Sequence, residues 1–264
     1  MPFSIFNRPT DAEPMTGEVI FQTPQTGTFH TVYNARNFGD INGHWAAGSI
    51  NFLAARGLAG GVGNNLFAPN DPMTRAMFAQ MLANIEGADL SQFTASRFND
   101  VAIGAWYAPA VEWAASMGIV SGTGNGNFAP SRNITRQEMA VMLANYINFR
   151  GYTLPVGTAP AFADDSSISS WAREAVTMMQ LAGIVSGMGD GQFNPTDTAN
   201  RAQVVAIFAR FIETYVGYAV GIELPGVPNA NPSPLAGWVG NSVITAIRED
   251  EYEFEAQVQD DDFE

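Results

Sequence analysis

Three arginines and three tryptophans recur in this chain at a fixed spacing, and both residue types recognise ligands. Arg75, Arg136 and Arg201 each stand 30 residues after a tryptophan, respectively Trp45, Trp106 and Trp171. A guanidinium presents a planar fork of donors that matches a carboxylate, and an indole face stacks on apolar surfaces such as a sugar ring. Each arginine falls just inside the N-terminus of a predicted helix, where the macrodipole already places about half a positive charge. A cation is mildly unfavourable there, so three copies ask for a compensating partner. Two partners suit it equally. One is a carboxylate of its own or a neighbouring repeat; the other is an anionic ligand that takes the guanidinium and exposed helix N–H groups together. For the tryptophans, burial is slightly favoured over a stacking platform.

The elements that must hold these residues repeat with them. Gly57, Gly118 and Gly183 follow the tryptophans by 12 residues, Phe67, Phe128 and Phe193 by 22, and Pro69, Pro130 and Pro195 by 24. Self-similarity of this kind marks a repeat architecture. Upstream, Phe38-Gly39-Asp40, Phe98-Asn99-Asp100 and Phe162-Ala163-Asp164 precede the tryptophans by 7, 8 and 9 residues, the drift of a loop that tolerates insertion. Their aspartates suit the brace of a turn or a helix cap better than a ligand contact. A short helix is predicted after each tryptophan, with Ile50, Val111 and Val176 at one shared apolar position and the glycine as a left-handed C-cap. Glycine-rich turns follow, and Gly61, Gly122 and Gly187 with Gly63, Gly124 and Gly189 imply positive φ or close backbone approach.

A second helix begins at each arginine. Apolar residues recur at +3, +6, +7 and +10 from it (Phe78, Met81, Leu82, Ile85; Met139, Met142, Leu143, Tyr146; Val204, Ile207, Phe208, Phe211), one helical face written three times. Thr135-Arg136-Gln137-Glu138 is a capping box. Asn200-Arg201-Ala202-Gln203 is a variant of it, and Thr74-Arg75-Ala76-Met77 keeps the cap without the reciprocal partner.

Composition narrows the function. The 264 residues are 46% hydrophobic and 14% charged, which describes a globular chain. There is no Cys, and His30 and His44 are the only histidines, so thiolate and His-based zinc sites are excluded or improbable. Of the net charge of −14, nine carboxylates fall in residues 249–264; the remainder sets 12 Arg against 17 acids. With no basic stripe, nucleic acid and anionic membranes are poor partners, and no apolar run is long enough to insert in a bilayer. The start, MPFSIFNRPTDAEPM, lacks the pattern of a signal peptide. The Gly-Asn-Gly-Asn and Gly-Asp-Gly-Gln turns lack the carboxylate spacing of a calcium loop. No metal or cofactor is expected, and no spacing selects a catalytic pair, so the chain reads as a non-enzyme.

Phe-x-Asp, Trp, a glycine-rich turn ending Phe-x-Pro, and then Thr-Arg or Asn-Arg: this sequence resembles the S-layer homology module, three times over about residues 37–214. The resemblance implies a mainly α fold in which three helix–loop–helix repeats form a pseudo-three-fold trimer within one chain. It implies non-covalent anchoring to the bacterial cell wall, hence an extracellular location, through an anionic, pyruvate-bearing secondary wall polysaccharide held in grooves between repeats, with peptidoglycan as a second wall partner. The family's anion contact maps onto Arg75, Arg136 and Arg201. Trp45, Trp106 and Trp171, Asp40, Asp100 and Asp164, and Gly61, Gly122 and Gly187 complete the candidate ligand-binding set. Met77 and Asn200 depart from the family pattern, so the grooves should be alike in build and unequal in affinity, the one with Arg136 best formed. Local arginine forks, sugar stacking and avidity would supply affinity that long-range attraction does not. Two other readings are a protein–protein assembly module of a surface layer and the tether of an exported enzyme whose catalytic domain lies elsewhere.

The expected organisation is an N-terminal extension over 1–36 with short strands in GEVIFQT and TFHTVYN. Repeats follow over 37–95, 96–158 and 159–214. A Pro/Gly-rich linker and irregular acidic tail occupy 215–264, with a further strand in NSVITAI.

Overall fold

In the computed structural model, residues 36–219 are described, with side chains to 215, together with the strands Ser4–Phe6 (β1), Glu18–Phe21 (β2) and Val243–Thr245 (β3). These strands pair antiparallel in the order β1-β2-β3. β2 lies in GEVIFQT and β3 in NSVITAI, as expected. α6 runs on to Ala219, so residues 215–219 extend the last long helix rather than begin a linker; the TFHTVYN strand, the rest of the linker and the acidic tail lie outside the described residues.

Among the described residues six α-helices alternate short and long, as the apolar periods require. The short ones, α1 (Ala47–Ala55), α3 (Ala108–Ser116) and α5 (Arg173–Leu181), each span nine residues. They stop where the frame glycine adopts φ of +70°, +70° and +72° at positions 57, 118 and 183, a left-handed conformation that costs a residue with a Cβ about 1–2 kcal/mol. The long ones are α2 (Arg75–Glu86), α4 (Arg136–Arg150) and α6 (Arg201–Ala219). All twelve apolar residues of their repeated face are buried. Each contributes roughly 1.5–3 kcal/mol by leaving water, and the faces meet: the Phe78 and Phe208 rings lie 5.0 Å apart, Tyr146 and Phe211 6.1 Å apart.

The repeats close into a ring. α3 packs on α2, α5 on α4, and α1 on α6, so each short helix leans on the long helix of the preceding repeat. At the centre, three buried residues ahead of the long helices pass one hydrogen bond each around a triangle. The Met73 N–H donates to Ala199 C=O (2.9 Å), Ala199 N–H to Ile134 C=O (3.0 Å), and Ile134 N–H to Met73 C=O (2.9 Å). This is the pseudo-three-fold trimer within one chain.

The second glycine of the turns departs from a uniform pattern. The residue 20 after the tryptophan is left-handed in all three turns (Asn65 +58°, Gly126 +73°, Gly191 +78°), and Gly63 and Gly124 have φ of +104° and +107°, whereas the equivalent Gly189 of repeat 3 does not have positive φ. There the turn closes one residue earlier in the frame, from Gly191 N–H to Met188 C=O rather than from the Leu66 or Asn127 position. The loss of positive φ at Gly189 accompanies that change of hydrogen bond.

Candidate functional site

Each long helix starts inside the next repeat. The N–H groups of Arg75 and Ala76 donate to Arg132 and Pro130 C=O; those of Arg136 and Gln137 to Asp197 and Pro195 C=O; those of Arg201 and Ala202 to Asp71 and Pro69 C=O. The third N–H goes to the cap side chain: Met77 to Thr74, Glu138 to Thr135, Gln203 to Asn200. The reciprocal bonds of the box are present from Thr135 N–H to Glu138 (3.1 Å) and from Asn200 N–H to Gln203 (3.1 Å). Apart from the Thr74 N–H, to which Met77 offers no acceptor, the orphan donors of these helix ends are therefore consumed within the protein. The exposed N–H groups expected to greet an anion are not there, and the frame proline supplies one of the acceptors that take them.

The arginines follow their helices into the neighbouring repeat. Arg75 Nε donates to Phe128 C=O (2.9 Å) and Nη2 to Ser121 C=O (3.0 Å). Arg136 does the same to Phe193 (2.6 Å) and Ser186 (3.1 Å), and Arg201 to Phe67 (2.9 Å) and Gly60 (2.7 Å). The guanidinium lies over the ring of that same phenylalanine, 4.7, 4.9 and 4.4 Å from its centroid, a cation–π contact. The three arginines are 4%, 5% and 8% exposed. Burial draws all three guanidinium pKa values below their ordinary one, though arginine stays charged. The shared partner is thus neither of the two foreseen but a pair of backbone carbonyls.

One guanidinium nitrogen, Nη1, makes neither of these carbonyl bonds, and here the three arginines differ. Arg75 Nη1 donates to Glu138 at 3.1 Å. Nη1 of Arg136 and of Arg201 meets no protein acceptor at hydrogen-bond distance among the described residues. Arg136 lines a cavity of about 280 Å³ with Trp45, Ser186, Gly187, Met188, Gln203, Ala206, Ile207 and Arg210. All three repeats contribute: a tryptophan from the first, the arginine from the second, and the glycine turn with one face of α6 from the third.

The other candidate residues divide cleanly. Trp45, Trp106 and Trp171 are 64%, 62% and 56% exposed, which overturns the preference for burial. They sit in the loop two residues ahead of each short helix, off its buried period. Trp113, inside α3, is the core tryptophan. Asp40, Asp100 and Asp164 brace turns. Each carboxylate accepts from two consecutive N–H groups, those of Phe67 and Ala68, Phe128 and Ala129, Phe193 and Asn194, at 2.7–2.9 Å. The second residue of each pair is held at φ of +56°, +59° and +53°. Gly61 and Gly122 answer to space within their own turns, where a Cβ would stand 2.6 and 2.7 Å from the carbonyl oxygens of Leu66 and Asn127. Gly187 is less confined, at 3.2 Å from Gln192 C=O, and lines the cavity. No cluster of three His, Asp or Glu suited to a metal occurs among the described residues, and no described helix is long and apolar enough to cross a membrane.

The S-layer homology domain family matches three tandem segments, residues 37–79, 97–140 and 161–205, together half of the chain. The chain belongs to the S-layer homology family. Its relatives carry different names. It is 33% identical over 75% of its length to an amylopullulanase of Thermoanaerobacterium thermosulfurigenes, and 34% identical over 67% to the exoglucanase XynX of Acetivibrio thermocellus. It is 30% identical over 71% to the S-layer protein Sap of Bacillus anthracis. The matched regions cover only 11%, 16% and 23% of those proteins.

Proposed function

We propose that this chain is the wall anchor of a bacterial surface protein, holding anionic wall polysaccharide in the grooves between its S-layer homology repeats. One observation carries the ligand: a buried arginine with a spare N–H, lining the same cavity as a mostly exposed indole. A pyruvate ketal on a sugar offers both complements, a carboxylate for Nη1 of Arg136 and a ring face for Trp45. Gln203 and the backbone of the Gly187 turn supply neutral hydrogen-bonding groups at the rim. The acidity of the chain gives no long-range pull toward a negative polymer, so affinity rests on desolvated local contacts and on several weak sites acting together.

The relatives support a tether rather than a catalyst. An amylopullulanase, an exoglucanase and an S-layer protein share this segment while differing in name, so the shared segment is not what distinguishes them. Anchoring serves all three. The chain accordingly acts at the cell surface, and any catalysis of the whole protein resides in another part.

The test is sedimentation with purified cell walls before and after acid removal of the polysaccharide. Binding to native walls and its loss on stripped walls is expected. Equal binding to stripped walls would move the ligand to peptidoglycan, and no binding to either would favour an assembly module.

A further inference from the structure

Resting on that reading, we infer that the groove at Arg75 is closed by the protein's own carboxylate, Glu138, and that the chain works with two open anion sites, at Arg136 and Arg201. The three-fold relation makes the comparison residue by residue. The position two residues after the frame arginine is Met77 in repeat 1, Glu138 in repeat 2 and Gln203 in repeat 3. In the cavity at Arg136 that position is Gln203, a lining residue. One repeat on, Arg201 faces the α2 start with Met77, and Arg75 faces the α4 start with Glu138.

Only Glu138 is an anion, and it uses its charge on the groove's arginine. Its Oε1 accepts from Arg75 Nη1 at 3.1 Å and from Arg132 Nη2 at 2.5 Å, while Oε2 accepts from Arg132 Nη1 and Thr135 N–H at 3.0 and 3.1 Å. Arg132 is itself particular to this groove: the equivalent positions in the other repeats are Asp71 and Asp197. The Glu138 side chain is 15% exposed and fixed by the capping box. Burial opposes its charge, yet the bonds from Arg132 and Thr135 N–H and the nearby Arg75 outweigh burial and hold its pKa below the usual glutamate range. It is ionised at neutral pH and holds the Nη1 group of Arg75 that a ligand carboxylate would need. The Arg136 groove differs in the opposite sense, since Arg210 adds a second guanidinium to its lining and, among the described residues, no carboxylate lines it. A ligand anion entering there meets spare donors; one entering at Arg75 must first displace a hydrogen-bonded glutamate.

The experiment is calorimetric titration of the chain with a pyruvylated wall disaccharide, beside Glu138→Gln. Glutamine is the suitable replacement because Gln203 already sustains the reciprocal cap in repeat 3. Two sites in the wild type and three in E138Q are expected. Three sites in the wild type, or two in E138Q, would overturn the inference while leaving the anchoring reading intact. If the disaccharide binds neither protein, the ligand assignment fails, and NMR of the arginine side chains with free pyruvate decides the closed groove separately. Arg136 and Arg201 resonances should shift in the wild type, and Arg75 resonances only in E138Q. Equal shifts of all three arginines in the wild type would contradict it.

Discussion

The two ends of the repeated frame meet opposite fates. Its arginine is buried and reaches into the next repeat, where it holds two carbonyls and covers a phenylalanine; its tryptophan stands in solvent on a loop. The arginine is therefore a structural brace first, with Nη1 the one nitrogen that its two carbonyl bonds leave for a ligand. The tryptophan has no packing duty comparable to that of Trp113. Removing an arginine disturbs fold and binding together, so loss of wall binding in an alanine variant of Arg75, Arg136 or Arg201 does not by itself identify a ligand contact. Removing a tryptophan separates the two.

The largest effect should come from opening the ring. Arg201 joins repeat 3 to repeat 1 through the carbonyls of Phe67 and Gly60, and Arg201→Ala leaves both without their charged donor. Hydrogen bonds to a charged group contribute about 1.5–3 kcal/mol each, so denaturant unfolding should show a loss of about 3 kcal/mol or more. A loss below 1 kcal/mol would mean that the central backbone triangle closes the ring unaided.

Next in size is Asp164→Ala. It frees the N–H groups of Phe193 and Asn194 and a left-handed backbone at Asn194. The carboxylate is partly exposed, so about 1–2 kcal/mol is expected by the same measurement. An unchanged stability would show that the turn holds its shape through Gly187 and the Phe162–Phe193 contact alone.

Glu138→Gln should cost about 1 kcal/mol at neutral pH, because the cap survives and only the pairs with Arg75 and Arg132 are lost. The sign of its pH dependence follows from a lowered pKa. The stabilisation is complete above the unfolded glutamate pKa of about 4.3 and is lost as pH falls through the lower folded value. The gap between wild type and E138Q, followed by unfolding at a series of pH values, should close on the acid side. A gap that persists at pH 2 would place the effect outside ionisation.

Much of the framework was legible in the sequence because it is local. The capping boxes, the apolar face of the long helices and the glycine stops lie within single turns, and each repeats three times. Partnerships that close the ring were not legible. Arg75 finds its carbonyl 53 residues away and Arg201 at 134, and spacing inside one repeat says nothing about which repeat comes next in space. The same gap hid the fate of the helix N–H groups. Exposure of the tryptophans has a signal in the sequence: they precede the helical period instead of falling on it. The role of Glu138 was half visible, as a cap, while its hold on Arg75 depends on α2 and α4 starting side by side, as the bridge from Thr74 to Asn133 records.

The smallest effect on the fold should accompany the largest effect on function, and one comparison exposes it. Trp45→Ala, Trp106→Ala and Trp171→Ala combined in one chain should each change stability by no more than about 0.5 kcal/mol, as exposed positions do. Sedimentation with native cell walls should nevertheless fall to the level seen with stripped walls. Full wall binding by this triple variant, with its unfolding curve unchanged, would contradict the assignment of the grooves as the anchoring sites.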